Sequence, residues 1–160
     1  MSSALQHRVV PAFLASRHIV AKAGLPVVSW ETVREHIRST LVLAIDEPER
    51  LGRSWEFPQG DGIQRQYVLP IVAFDRPHIQ IISNVVPVDS LPAHEAMALN
   101  ARIPIGGLCI ADGFVLLRAV VPLEGVELAV IERALHDVAR EAVHLRMQAV
   151  RKPSPAPYFE

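Results

Sequence analysis

The chain has 160 residues, 50% of them apolar and 21% charged, with one cysteine and a formal net charge of -1. That length supports one domain with its own core, and the apolar content excludes an intrinsically disordered chain. The near-neutral charge leaves no electrostatic footprint for nucleic acid or an anionic membrane, and a lone cysteine excludes an internal disulfide and a cysteine-based zinc site.

Residues 1–28 read as an N-terminal extension. Its most apolar stretch, Val9 to Val28, is interrupted by Arg17, His18 and Lys22 and bracketed by Pro11 and Pro26. It is too charged to span a bilayer and lacks the uninterrupted apolar region of a signal peptide, so a cytoplasmic protein is expected. One short helix, Ala12 to Ala23, fits before Gly24 and Pro26 stop it.

Residues 29–150 read as a single domain. Ser29 is a fitting N-cap for an amphipathic helix carrying Trp30, Val33, Ile37, Leu41 and Ala44 on one side. Strand patterns follow: Trp55 with Phe57, then Ile63 to Phe74, then His78 to Val86, with turns at 59–62 and at Asp75-Arg76. Pro70 lacks an N–H, which points to an edge position or a bulge. Asp89 or Ser90 can cap a short helix, Leu91 to Leu99, with Pro92 in its first turn. Ile105 to Ala111 and Phe114 to Val121 flank Asp112-Gly113, a pair suited to the positive φ angles of a type I′ hairpin turn. A last helix, Gly125 to Gln148, carries Leu128, Ile131, Leu135, Val138, Ala142 and Leu145 in one stripe. Residues 151–160 hold three prolines and read as an extended tail, with Tyr158 and Phe159 as anchors for docking on the sheet or a dimer mate. The expected fold is α+β, an antiparallel sheet of about five strands under helices, in the order α-β-β-β-α-β-β-α.

The hairpins assign residues to faces. A two-residue loop at Asp112-Gly113 puts Leu108, Ile110, Val115, Leu117, Ala119 and Val121 on one apolar face, under the helices. Ile105, Cys109, Phe114, Leu116 and Val120 share the other face with Arg118. In the preceding hairpin, Val68, Val72, Phe74, Ile79, Ile81 and Val85 share one face. Tyr67, Leu69, Ile71 and Ile82 share the other with Arg65, His78, Gln80 and Asn84. A solvated sheet face normally alternates to polar. A second face that keeps Phe, Leu, Ile and Tyr marks a partner surface, unless residues 1–28 or the tail cover it. Phe114, Leu116, Val120, Tyr67, Leu69, Ile71 and Ile82 are therefore the candidate partner-binding or dimer surface.

Val85 to Leu145 reads VVPVDSLPAHEAMALN, then IGGLCIADGFVLLRAVVPL, then the long helix. This resembles the YbjN family, putative bacterial sensory-transduction regulators, and the wider fold of type III secretion chaperones, including the Tir-chaperone type. Leu99-Asn100, Gly107, Asp112-Gly113 and Pro122-Leu123 match that pattern, over about residues 29–148. The resemblance implies a secretion-chaperone-like fold and a homodimer that binds an extended segment of a protein partner. The first 28 residues are extra to it, and the chain is nearly neutral where secretion chaperones tend to be acidic.

Chemistry-bearing groups are sparse. His94-Glu95 falls on the second helix. Glu132 and His136 share a face of the last helix, but a metal site needs a third protein ligand, and Arg140 lies between His136 and His144. A solvated face with local ion pairs explains them. Cys109, between Leu108 and Ile110, fits a buried small hydrophobe. Gly106-Gly107 opens a strand rather than a helix, which fits a bulge or close backbone approach and not a phosphate cradle. The expected function is a non-enzymatic, dimeric, chaperone-like or regulatory protein-binding module without cofactor or metal. The second helix and adjoining sheet surface are the expected dimer contact. The competing reading is a small-molecule-binding or hydrolytic domain using histidines near the sheet.

Overall fold

The computed structural model describes residues 25–56 and 63–151. The first helix, α1 (Trp30–Thr40), starts where the sequence places it: the Ser29 hydroxyl accepts a hydrogen bond from the Thr32 amide at 3.1 Å. Val33 and Ile37 are its buried residues. Leu41 is already extended, so Leu41 and Ala44 lie past the helix instead of on its stripe. The Ser39 and Thr40 hydroxyls donate to the His36 carbonyl, taking up an acceptor at the fraying end.

Six strands follow in one antiparallel sheet, one more than the sequence pattern counts: β1 (Ile45–Glu47), β2 (Arg50–Glu56), β3 (Ile63–Ala73), β4 (Arg76–Pro87), β5 (Gly107–Ala111) and β6 (Phe114–Pro122). Their spatial order is β1-β2-β3-β4-β6-β5. β1 escapes sequence reading because three residues cannot display an alternation. β2 begins five residues before Trp55, through Gly52 and Arg53, which resemble turn residues. Phe57 and the turn at 59–62 lie outside the described residues, as do the helix placed at Ala12 to Ala23 and the tail residues Tyr158 and Phe159. Pro70 stands beyond the last β2–β3 pair, Leu51 with Val68, where β3 keeps only β4 as neighbour.

The β3–β4 turn is Phe74-Asp75, not Asp75-Arg76, with φ of 53° and 59°. The register moves by an even number of residues, so the face assignment survives. The β5–β6 register is the expected one, Ala111 with Phe114 and Ile110 with Val115. Ile105 precedes β5 and packs partly on the core, so it does not belong to the second face.

Between the hairpins, a 3-10 turn (Val88–Ser90) leads to α2 (Ala93–Asn100). Pro92 is its N-cap, with no side-chain cap from Asp89 or Ser90. The Asn100 side chain accepts from the Leu108 amide at 2.7 Å, tying α2 to the start of β5. Gly106 has φ +71°, and a Cβ there would stand 2.1 Å from the Arg118 carbonyl oxygen, so a close backbone approach is its role. Residues 25–28 run beside the segment before the last helix: the Val28 amide donates to Leu123 and the Gly125 amide to Pro26. Gly125, at φ +68°, precedes α3 (Leu128–Arg151), which starts three residues later than the sequence reading placed it.

The α3 residues Ile131, Leu135, Val138, Ala142 and Leu145 are all buried, and with Val33 and Ile37 of α1 they meet Leu51, Val68, Ile79, Ile81, Val115 and Leu117 of the sheet. Cover is incomplete at the margins. Ile110 on the edge strand is 63% exposed, and Val72 and Phe74 at the hairpin tip are 78% and 94% exposed, although all three were expected on the covered face. They lie beyond the reach of the helices. Conversely, Gln64, Gln66 and Ser83 are buried on that face.

Candidate functional site

The strand registers place every candidate surface residue on the sheet face opposite α1 and α3. Tyr67 pairs with Ile82, which pairs with Arg118, which pairs with Gly107. Leu69, Gln80 and Val120 form the next row, and Ile71, His78 and Pro122 the one after. On the other side of Tyr67, Asn84, Leu116 and Cys109 line up. Phe114 pairs with Ala111 beside the turn. Among the described residues no helix residue lines the groove that crosses these rows, and Asn100 at the end of α2 reaches their edge at Gly107. Phe114 and Val120 are exposed, and Tyr67, Leu69, Ile71, Ile82, Leu116 and Cys109 are half-buried.

An open groove of about 410 Å³ crosses the face from β2 to the β5–β6 turn. Tyr67, Leu69, Ile82, Leu116 and Phe114 supply its apolar wall, and Arg50, Arg65, Asn84 and Asp112 its polar groups. Ile71 and Val120 lie on the same face outside the groove. Gly52 matters to its shape: a Cβ there would come within 3.1–3.2 Å of the Tyr67 ring. Arg50 stands over that ring, 5.8 Å from its centroid, and pairs with Glu47 at 3.0 Å. The Arg65 amide donates to the Asn84 side chain, which fixes the far wall. Sequence reading places Arg65 and Asn84 on this face but misses Arg50, which precedes the first recognised strand residue.

The covered face carries a polar layer with no warning in the hydropathy pattern. Gln66 donates to the Leu135 carbonyl of α3 at 2.9 Å and accepts from Arg53 Nε at 2.8 Å. Gln64 donates to Ser83 Oγ and to the Asn84 carbonyl. Burial pulls the pKa of Arg53 below the ordinary guanidinium value. At the β4 bulge, Arg146 Nε of α3 donates to the Val85 carbonyl at 2.7 Å.

The described histidines are dispersed. His36 of α1 meets Glu132 at 3.5 Å, so the carboxylate expected beside His136 turns to another helix. His144 contacts Gln148, and His94 is exposed on α2. His136 lines a second open cleft, about 360 Å³, with Arg53, Trp55 and Arg140. Among the described residues no three His, Cys, Asp or Glu side chains gather as a metal set, and no helix is long and apolar enough to cross a membrane. The main groove offers guanidiniums, an amide, a phenol and a single carboxylate around apolar side chains. Such groups bind and orient a ligand.

No family model matches the chain, and no curated protein matches it. Solved structures do. One is from the crystal structure of the ExsC-ExsE complex, 18% identical, with a TM-score of 0.52 over 73% of this chain and 92% of that one. Another is from the HopA1-SchA chaperone-effector complex, 13% identical, with a TM-score of 0.51 over 72% of this chain and 90% of that one. The shared property is the fold, an α+β secretion-chaperone-like architecture with an open antiparallel sheet.

Proposed function

We propose that the chain is a non-enzymatic, chaperone-like or regulatory module that works as a homodimer and holds an extended segment of a partner protein on the sheet face opposite α1 and α3. The observation that carries this reading is the groove itself, an apolar trough on the sheet whose lining includes no helix residue. The likeness to chains from two protein–protein complexes, one described as chaperone-effector, supports it. The resemblance to the YbjN family supplies the regulatory side of the reading and its bacterial, cytoplasmic setting. Met97 on α2 and Ile110 on the neighbouring edge strand, 74% and 63% exposed, support a dimer contact there.

The test is site-specific photocrosslinking from Leu116, with Arg133 on α3 as the control position, followed by reconstitution with the purified crosslinked protein. The expected result is a protein partner trapped only from Leu116, and binding lost in Leu116→Asp while thermal unfolding stays cooperative. Wild-type affinity in Leu116→Asp overturns the reading.

A further inference from the structure

Charge is spread unevenly over the groove face: Glu47 and Glu56 stand outward on β1 and β2, and Glu47 pairs with Arg50. Lys and Arg number 16 against 17 Asp and Glu. Yet the outward positions of β3, β4 and β6, from Arg65 through Asn84 to Val120, hold no carboxylate. Their arginines are Arg65, Arg76 and Arg118; Arg76 pairs with Glu124, and neither Arg65 nor Arg118 forms an ion pair among the described residues. A charge on an antiparallel sheet is usually balanced by an opposite charge across the strand. Arg118 instead faces Ile82 and Gly107, and Arg65 faces Ser54. Gly107 brings no side chain of its own, and the Asn100 side chain at the end of α2 stands 3.3 Å from where its Cβ would be. Asp112, in the turn, is the one carboxylate on the groove wall.

From this placement we infer that the face selects extended segments that are acidic as well as apolar. The inference rests on the protein-binding reading and names the chemistry of its partner. Arg65 and Arg118 lie two strands apart laterally and two residues apart along the sheet, about 12 Å by ideal spacings. An extended segment repeats its side chains on one side every second residue, and every fourth residue spans about 13 Å. The matching segment therefore carries Asp or Glu at i and i+4, to meet the two guanidiniums. An aromatic or aliphatic residue at i+2 rests against Tyr67, Ile82 and Leu116. Each exposed charge pair contributes at most about 1 kcal/mol, a selectivity of about threefold to fivefold per acidic residue. Arginine suits the task because its planar fork grips carboxylates while its stem packs on apolar neighbours.

The experiment selects a displayed random library of peptides about twelve residues long, enough to cross the sheet, on the full chain, on the Arg65→Gln/Arg118→Gln double variant and on Leu116→Asp. On the wild-type chain, Asp and Glu should be enriched about threefold at positions four apart around an apolar residue. The double variant should keep the apolar preference and lose the acidic one, and added salt should do the same. A neutral or basic wild-type pool overturns the inference but leaves protein binding standing, provided Leu116→Asp loses that pool. Acidic enrichment that persists in the double variant also overturns it. If no peptide is enriched, both readings fall; self-association that Leu116→Asp abolishes would then give the face to a second copy of the chain.

Discussion

Phe74 shows how a single residue can defy local preference. It and Asp75 adopt the left-handed pair of a type I′ turn, a place suited to Asn-Gly, and the phenyl ring is 94% exposed, so burial offsets nothing. Phe74→Asn should stabilise the fold by about 1 kcal/mol, seen as a higher urea midpoint at unchanged slope. Gly106 is the reverse case. Its substitution by Ala places a methyl against the Arg118 carbonyl at positive φ and should cost about 2 kcal/mol or more. The same change at Gly113, where a Cβ meets nothing within 4 Å, should cost only the φ penalty, about 1 kcal/mol. Comparing the two urea midpoints checks this. Gln66 ties β3 to α3, and Gln66→Leu strands the Nε of the half-buried Arg53 without its acceptor. A loss of about 1–3 kcal/mol is expected by denaturant unfolding.

Among the elements, α1 is fastened to β1 by charge. Arg38 grips both oxygens of Asp46 at 2.7 Å, and Arg34 adds a contact at 3.2 Å. The hydrogen bond from Arg38 holds the Asp46 carboxyl below its ordinary pKa. A carboxylate with a lowered folded-state pKa stabilises the fold above its unfolded pKa, and that contribution disappears as pH falls through the folded value. Asp46 should therefore titrate by NMR below the ordinary aspartate range, and Arg38→Ala should move it back up. The surface position keeps the effect on total stability small. The hairpins teach a different lesson. Asp112-Gly113 announces its own turn, so that register is readable locally. The β3–β4 turn is not, since its Phe74 obeys no turn preference, yet an even slip preserves the faces because side chains alternate with a period of two.

At the scale of the molecule, the dimer reading makes a direct prediction. Static light scattering at micromolar concentration should give twice the 17.7 kDa chain mass, and Met97→Asp with Ile110→Asp should return the mass of one chain. A charge placed in an apolar contact has no partner to offset its desolvation. The dispersed histidines carry the opposite expectation. Replacing His94, His136 and His144 together with Gln should leave the unfolding midpoint and peptide binding nearly unchanged, as measured by denaturation and titration.

Local chemistry determined much of this protein by itself. The Ser29 cap, the α3 stripe, the Asp112-Gly113 turn and the alternation in β3, β4 and β6 are each set by neighbours within a few residues. They were enough to fix the α+β class and to put Phe114, Leu116, Val120, Tyr67, Leu69, Ile71 and Ile82 on one face. Tertiary structure decided what depends on distant segments. β1 is a strand through its backbone pairing with β2, and Asp46 on it meets Arg34 and Arg38 of α1. Gln64 and Gln66 are buried because Ser83 and the Leu135 carbonyl wait above and beside them. The groove forms only where Arg50, Tyr67 and Phe114 converge from three strands. A sequence pattern reports which side of a strand a residue faces. What stands opposite that side is set by the packing of elements far apart along the chain.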